Sequence, residues 1–141
     1  MPNTGPIVLV DDDEEDQLFF KEALARLDIK NELVICRNGI EALNYLNVTS
    51  QQPFLILCDI NMPKMNGLQL RAEIIQSDYL RKKSIPFVFH STAATERDVN
   101  KAYDLTVQGY FQKTSSFEKL VTLVKMLTDC WRECKHPNSI G

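Results

Sequence analysis

Five short apolar runs, each parted from the next by a stretch of helical pattern, limit what this chain can fold into. They read IVLV (7–10), ELVIC (32–36), FLILC (54–58), FVFH (87–90) and GYFQ (109–112). IVLV and FLILC have strand length and no polar alternation, which marks strands covered on both faces. Residues 14–28 carry Leu18, Phe19, Ala23, Leu24 and Leu27 at helical spacing, and 38–47 open on the cap candidate Asn38. Gly67 opens 68–77. Thr95 and Asp98 give 95–105 a start close to a capping box, and 116–134 show an apolar face at Leu120, Leu123, Val124, Leu127 and Trp131. Five βα units predict an α/β fold: a doubly wound, five-stranded parallel sheet with five helices and right-handed crossovers. One domain over 7–134 takes in every element, with 1–6 as an N-terminal extension and 135–141 as a flexible tail.

Composition removes several function classes. The formal net charge is −3, from 16 basic and 19 acidic residues, which argues against a nucleic-acid binder working by phosphate neutralisation. No apolar run approaches the roughly 20 residues that span a bilayer. The opening MPNTGP has no basic segment followed by an apolar one, so no secretory signal is expected. Cys36 and Cys58 fall in apolar strands, and Cys130 and Cys134 stand one helical turn apart without CxxC spacing. Two ligands make no metal site, so all four are expected as free thiols in a reducing cytoplasm.

In a doubly wound sheet, chemistry gathers outside the carboxyl ends of the strands. Asp11, Asp12 and Asp13 follow the first run, Asp59 the third, Ser91 and Thr92 the fourth, and Lys113 the fifth. With strand order 2-1-3-4-5 these ends are neighbours. Clustered carboxylates repel one another unless a cation joins them. All-oxygen ligands select Mg2+, or Mn2+, rather than zinc. The lysine and hydroxyl would hold further phosphoryl oxygens, and Asp59 is the residue able to accept a phosphoryl group as an acyl phosphate.

This arrangement resembles the receiver domain of bacterial two-component response regulators. The resemblance covers residues 7 to about 128 and rests on VLVDDD (8–13), LCDINMPKMNGLQL (57–70), IPFVFHST (85–92) and GYFQK (109–113). The spacings agree: 47 residues from Asp12 to Asp59, 32 on to Ser91 and 22 on to Lys113. It implies a flavodoxin-like receiver in which Asp59 is the phosphoacceptor, Asp12 a direct metal ligand and Asp11 its partner through water. It further implies that the backbone carbonyl of Asn61 completes the metal shell and that Lys113 bridges acceptor and phosphate. Ser91 would bind a phosphoryl oxygen, and Tyr110 would be the switch aromatic. The signal would leave through the fourth helix, fifth strand and fifth helix (95–105, 109–112 and 116–134), a face that also suits a homodimer.

The implied partners are a sensor histidine kinase or phosphotransfer protein and a downstream protein, with no nucleic acid and no membrane. The chain is then a stand-alone phosphorelay switch rather than an enzyme. YDLTVQGYFQKTSS (103–116) further resembles receivers paired with bacterial phytochrome kinases. Thr114 departs from the family, which usually has a cis proline after the lysine; a cis non-proline bond costs about 3–4 kcal/mol. Asn61 and Ala93 occupy the two positions that influence self-dephosphorylation in receivers.

Other readings are weaker. A magnesium-dependent aspartyl-phosphate phosphatase needs a second aspartate two residues on, where Asn61 stands and cannot do acid work. Flavin binding needs a phosphate-cradling loop after the first strand, where three aspartates stand. A degenerate scaffold would generally lose an acid or the lysine. Asp13 is expected to be a solvated charge or helix cap, and His90 a packed residue rather than a ligand. Leu127 and Trp131 suit either the core or a dimer surface.

Overall fold

Runs with no alternation must bury both faces, and IVLV and FLILC do so. The computed structural model describes residues 4–92 and 95–135. Its elements run β1 (Ile7–Val10), α1 (Glu14–Arg26), β2 (Leu33–Cys36), α2 (Gly39–Val48), β3 (Leu55–Cys58), α3 (Gly67–Gln76), α4 (Asp78–Lys82), β4 (Phe87–Ser91), α5 (Glu96–Asp104), β5 (Gly109–Gln112) and α6 (Phe117–Glu133). The sheet is parallel throughout, in the order β2-β1-β3-β4-β5. Ile7, Leu9, Leu55, Leu57 and Val88 pack with Phe20, Ala23 and Leu24 of α1 and Val124 and Leu127 of α6. The alternate residues Val8, Val10, Ile56, Cys58, Phe87 and Phe89 pack beneath α2, α3, α4 and α5 through Leu46, Leu70, Leu80 and Ala102. Each fully buried Leu, Ile or Phe side chain contributes about 1.5–3 kcal/mol through its removal from water.

Among the described residues the helices number six where the pattern predicts five. Ser77 leaves helical geometry (φ −89°, ψ 114°), which ends α3. Its hydroxyl then accepts the Leu80 N–H at 3.2 Å and starts α4. Five residues are too few for helical periodicity to show. The expected face of α1 also shifts by a side chain. Leu18 is 53% exposed, and Phe20 is buried instead. Phe20 stands three and four residues before Ala23 and Leu24 and so shares their stripe. At the far end, Leu127 is buried and Trp131 packs partly buried against the same layer, which places both with the core.

Asp13 caps α1 by accepting the N–H groups of Glu15 and Asp16. Asn38 caps α2 and Thr95 caps α5. All four cysteines are free. The described residues contain no cis peptide bond, so Lys113–Thr114 is trans. Ala93, the first three residues and 136–141 of the expected tail lie outside the described residues. Among the described residues no helix is long and apolar enough to cross a membrane.

Candidate functional site

Sheet register gathers the polar residues. β1 and β3 pair with Val10 opposite Cys58, so the next residues, Asp11 and Asp59, leave the sheet side by side. The Asp59 N–H donates to the Val10 carbonyl at 2.9 Å, and the Asp11 N–H to the Cys36 carbonyl at 2.9 Å. On the other side, the Lys113 N–H donates to the Ser91 carbonyl at 2.8 Å. Ladder bonds thus continue one residue past the strands and fix the backbone on which each functional side chain stands.

The third strand's loop is built for close approach. Asn66 and Gln69 form a reciprocal capping box at the start of α3, with both bonds 2.9 Å. The Gly67 N–H donates to the Ile60 carbonyl at 2.9 Å and folds the loop back. A Cβ on Gly67 would collide with the Asp59 carbonyl oxygen and lie 2.9 Å from Phe89 Cε1. Glycine is required there for space, since its φ is not positive. Lys64, in the same loop, does hold a left-handed φ of 66°, a conformation costing about 1–2 kcal/mol.

Lys113 is the hub. Its Nζ donates to Asp11 Oδ2 at 2.7 Å, Asp16 Oδ2 at 2.7 Å and Asp59 Oδ2 at 2.9 Å, and its side chain is only 8% exposed. Burial alone would lower the lysine's pKa. The hydrogen bonds and charges of its partners outweigh this and hold it above the ordinary range. Burial pushes Asp11 up to about 6, against the lowering from Lys113 and from the Asp13 N–H. Asp59 Oδ1 also accepts the Ile60 N–H at 2.7 Å.

Carboxylate oxygens of Asp11, Asp12 and Asp59 lie within 4.8 Å of one another. Among the described residues, Asp16 brings the acids here to four against the Lys113 ammonium, which bonds to three of them. That imbalance and the all-oxygen donor set fit a divalent cation of the magnesium or manganese type. Asn61 is exposed two residues past Asp59. Ser91 is fully buried at the end of β4, and Tyr110 stands on the neighbouring strand β5, paired with Phe89. The Tyr110 ring packs 6.0 Å from that of Phe89, and burial raises its phenol pKa ahead of the nearby Asp98 charge. His90 is partly buried, and burial, then Lys113, lowers it to about 4.

Asp16 is the residue that sequence reasoning missed. It is one of six consecutive acids, residues 11–16, and helical pattern alone reads it as part of a solvated first turn. The available signal was its position four residues after Asp12, one turn along the helix edge that leaves β1.

Comparison with known proteins agrees with this geometry. The family model for the response regulator receiver domain matches residues 7–125. The response regulator Rcp1 of Synechocystis sp. is 35% identical over 132 residues, covering 90% of this chain and 88% of Rcp1. The crystal structure of the phosphorylated cyanobacterial phytochrome response regulator RcpA superposes with a TM-score of 0.84 at 35% identity, covering 94% of this chain and 97% of RcpA. The Mn2+-bound form of Rcp1 superposes with a TM-score of 0.78 at 33% identity, over 92% and 96% of the two chains. The protein resembled here is thus one known with manganese bound, and this chain's acidic cluster fits such an ion. On its sheet order, its strand-end acids and these matches, the chain belongs to the response regulator receiver domain family.

Proposed function

We propose that Asp59 accepts a phosphoryl group from the phosphohistidine of a sensor histidine kinase or phosphotransfer protein, as one step of a two-component phosphorelay. An Asp59 carboxylate oxygen attacks phosphorus, the P–N bond to the donor breaks, and its electron pair returns to the donor imidazole. The observation that carries this reading is the Lys113 ammonium bonded at once to Asp59 and Asp11. It stands where it can pass a hydrogen bond from the carboxylate to an incoming phosphoryl oxygen. Asp11, Asp12, Asp59 and the Asn61 carbonyl would hold the cation, which supplies charge neutralisation for the phosphoryl oxygens.

Ser91 donates its hydroxyl to a further phosphoryl oxygen in this reading. The shift of the hydroxyl lets the Tyr110 ring turn inward, and the ring carries the change to the face of α5, β5 and α6. That face corresponds to the output surface expected from the sequence, renumbered by the extra helix α4, and is the proposed contact for a downstream protein or a second copy. The receiver unit is taken as 7–134, from β1 to the end of α6, in a cytoplasmic protein. The likeness to phytochrome response regulators makes a phytochrome-type kinase the first donor to try.

Incubation with acetyl phosphate, with and without magnesium, tests the assignment by intact mass and light scattering. A magnesium-dependent, acid-labile adduct that vanishes in Asp59→Asn is expected. An adduct that survives that substitution would overturn the site, and light scattering that shows only a 16.2 kDa species, with and without phosphorylation, would remove the homodimer.

A further inference from the structure

An ammonium has three N–H groups, and Lys113 spends all three on carboxylates. Two of these, Asp11 and Asp59, come from the strand ends. The third, Asp16, comes from the first turn of α1, and its 2.7 Å contact matches that of Asp11 and is shorter than the 2.9 Å to Asp59. The helix does not need Asp16 for its own start. Asp13 is the cap, and Glu14 and Glu15 already place negative charge at that end. Yet the Asp16 side chain is drawn in to 38% exposure, over a lysine 97 residues away in sequence.

We propose that Asp16 is a positioning residue, a tether that keeps the Lys113 ammonium over the site while its other two contacts exchange. This rests on the reading of Asp59 as phosphoacceptor. In that reading Asp59 provides the attacking oxygen and Asp11 turns toward the cation, so neither remains a full-time partner of Lys113. Asp16 is committed to neither role. A lysine side chain has a flexible four-carbon stem, and an ammonium released from two of its three anchors would sample other rotamers. Holding it by the third keeps the donor in place for the phosphoryl oxygen, so the ordering is done before transfer begins.

The same geometry separates a tether from a binding group. Asp16 bonds to Lys113 and is not among the acids whose oxygens cluster for a cation. Its loss should therefore slow transfer without changing how much small phosphodonor is needed. Asp16→Asn keeps an acceptor oxygen but no charge, and it should fall between wild type and Asp16→Ala.

The test uses the full chain, acetyl phosphate and saturating magnesium. Labelling rate is read against phosphodonor concentration, and the order parameter of the Lys113 ε-methylene is read by NMR. For Asp16→Ala the saturating rate is expected to drop about tenfold, with half-saturation within about twofold of wild type. The ε-methylene order parameter is expected to fall, a change that a role confined to the helix end would not produce. An unchanged saturating rate, or an unchanged order parameter, in a variant whose thermal midpoint matches wild type would overturn the tether. If wild type itself takes no label, the phosphoacceptor reading fails, and that result is distinct from failure of the tether alone.

Discussion

His90 precedes Ser91 in β4, partly buried and within reach of the Lys113 charge, and its pKa falls to about 4. An unfolded histidine titrates near 6.5. Below that value the unfolded chain takes up a proton that the folded chain refuses, so the neutral imidazole's stability is full above about pH 6.5 and is lost as pH falls toward 4. Asp11 works the other way, since its raised pKa of about 6 makes the folded state bind the proton first as pH drops. Wild type alone would mix the two. Comparison with His90→Val isolates the histidine: relative to that variant, wild type should lose about 2 kcal/mol between pH 8 and pH 5 in urea titrations. A constant difference across that range would mean that His90 titrates normally. The strand-end positions of Asp11, Asp12, Asp59, Ser91 and Lys113 were legible in the sequence because each stands within two residues of the end of a strand-like run. Asp16 was not. Six acids in a row look alike until the fold shows which one faces Lys113.

Among the elements, α3 ties the site to the core through Gly67, Leu70 and Ile74. Its capping box at Asn66 and Gln69 sets the helix start, and Gly67 lets that start lie against the Asp59 backbone. Alanine at 67 would gain roughly 1 kcal/mol in helix propensity. The collision with the Asp59 carbonyl decides the sign, because a backbone atom cannot rotate away as a side chain can. Gly67→Ala should lower unfolding free energy by about 2 kcal/mol net and move the acceptor loop. Chemical denaturation with an unchanged m-value checks the first part, and loss of labelling in the folded protein checks the second. Strands and long helices were readable from period and caps. The short α4 was not, because one turn begun by Ser77 leaves no repeat to detect. Leu18 and Phe20 show the same limit: the helix was evident, but which neighbours formed its buried stripe depended on where α1 met the sheet.

Across the whole molecule, the site draws on β1, α1, β3, β4 and β5, so its charge balance bears on global stability. Four carboxylates against one ammonium repel, and a bound cation would relieve them in the folded state only. At magnesium about five to ten times its dissociation constant, the thermal midpoint should rise by about 4 °C. Asp12→Ala should lose most of that rise; an equal rise in the variant would place the cation elsewhere. The buried strands, their alternation with helices and the acids at their ends were determined by the sequence itself, because apolar runs, spacing and caps are local. Tertiary structure alone decided that Lys113 is shared among three carboxylates lying 54, 97 and 102 residues away. The physical reason is range: hydrogen bonds and desolvation act over a few ångströms, and only the packed sheet brings such distant residues within them.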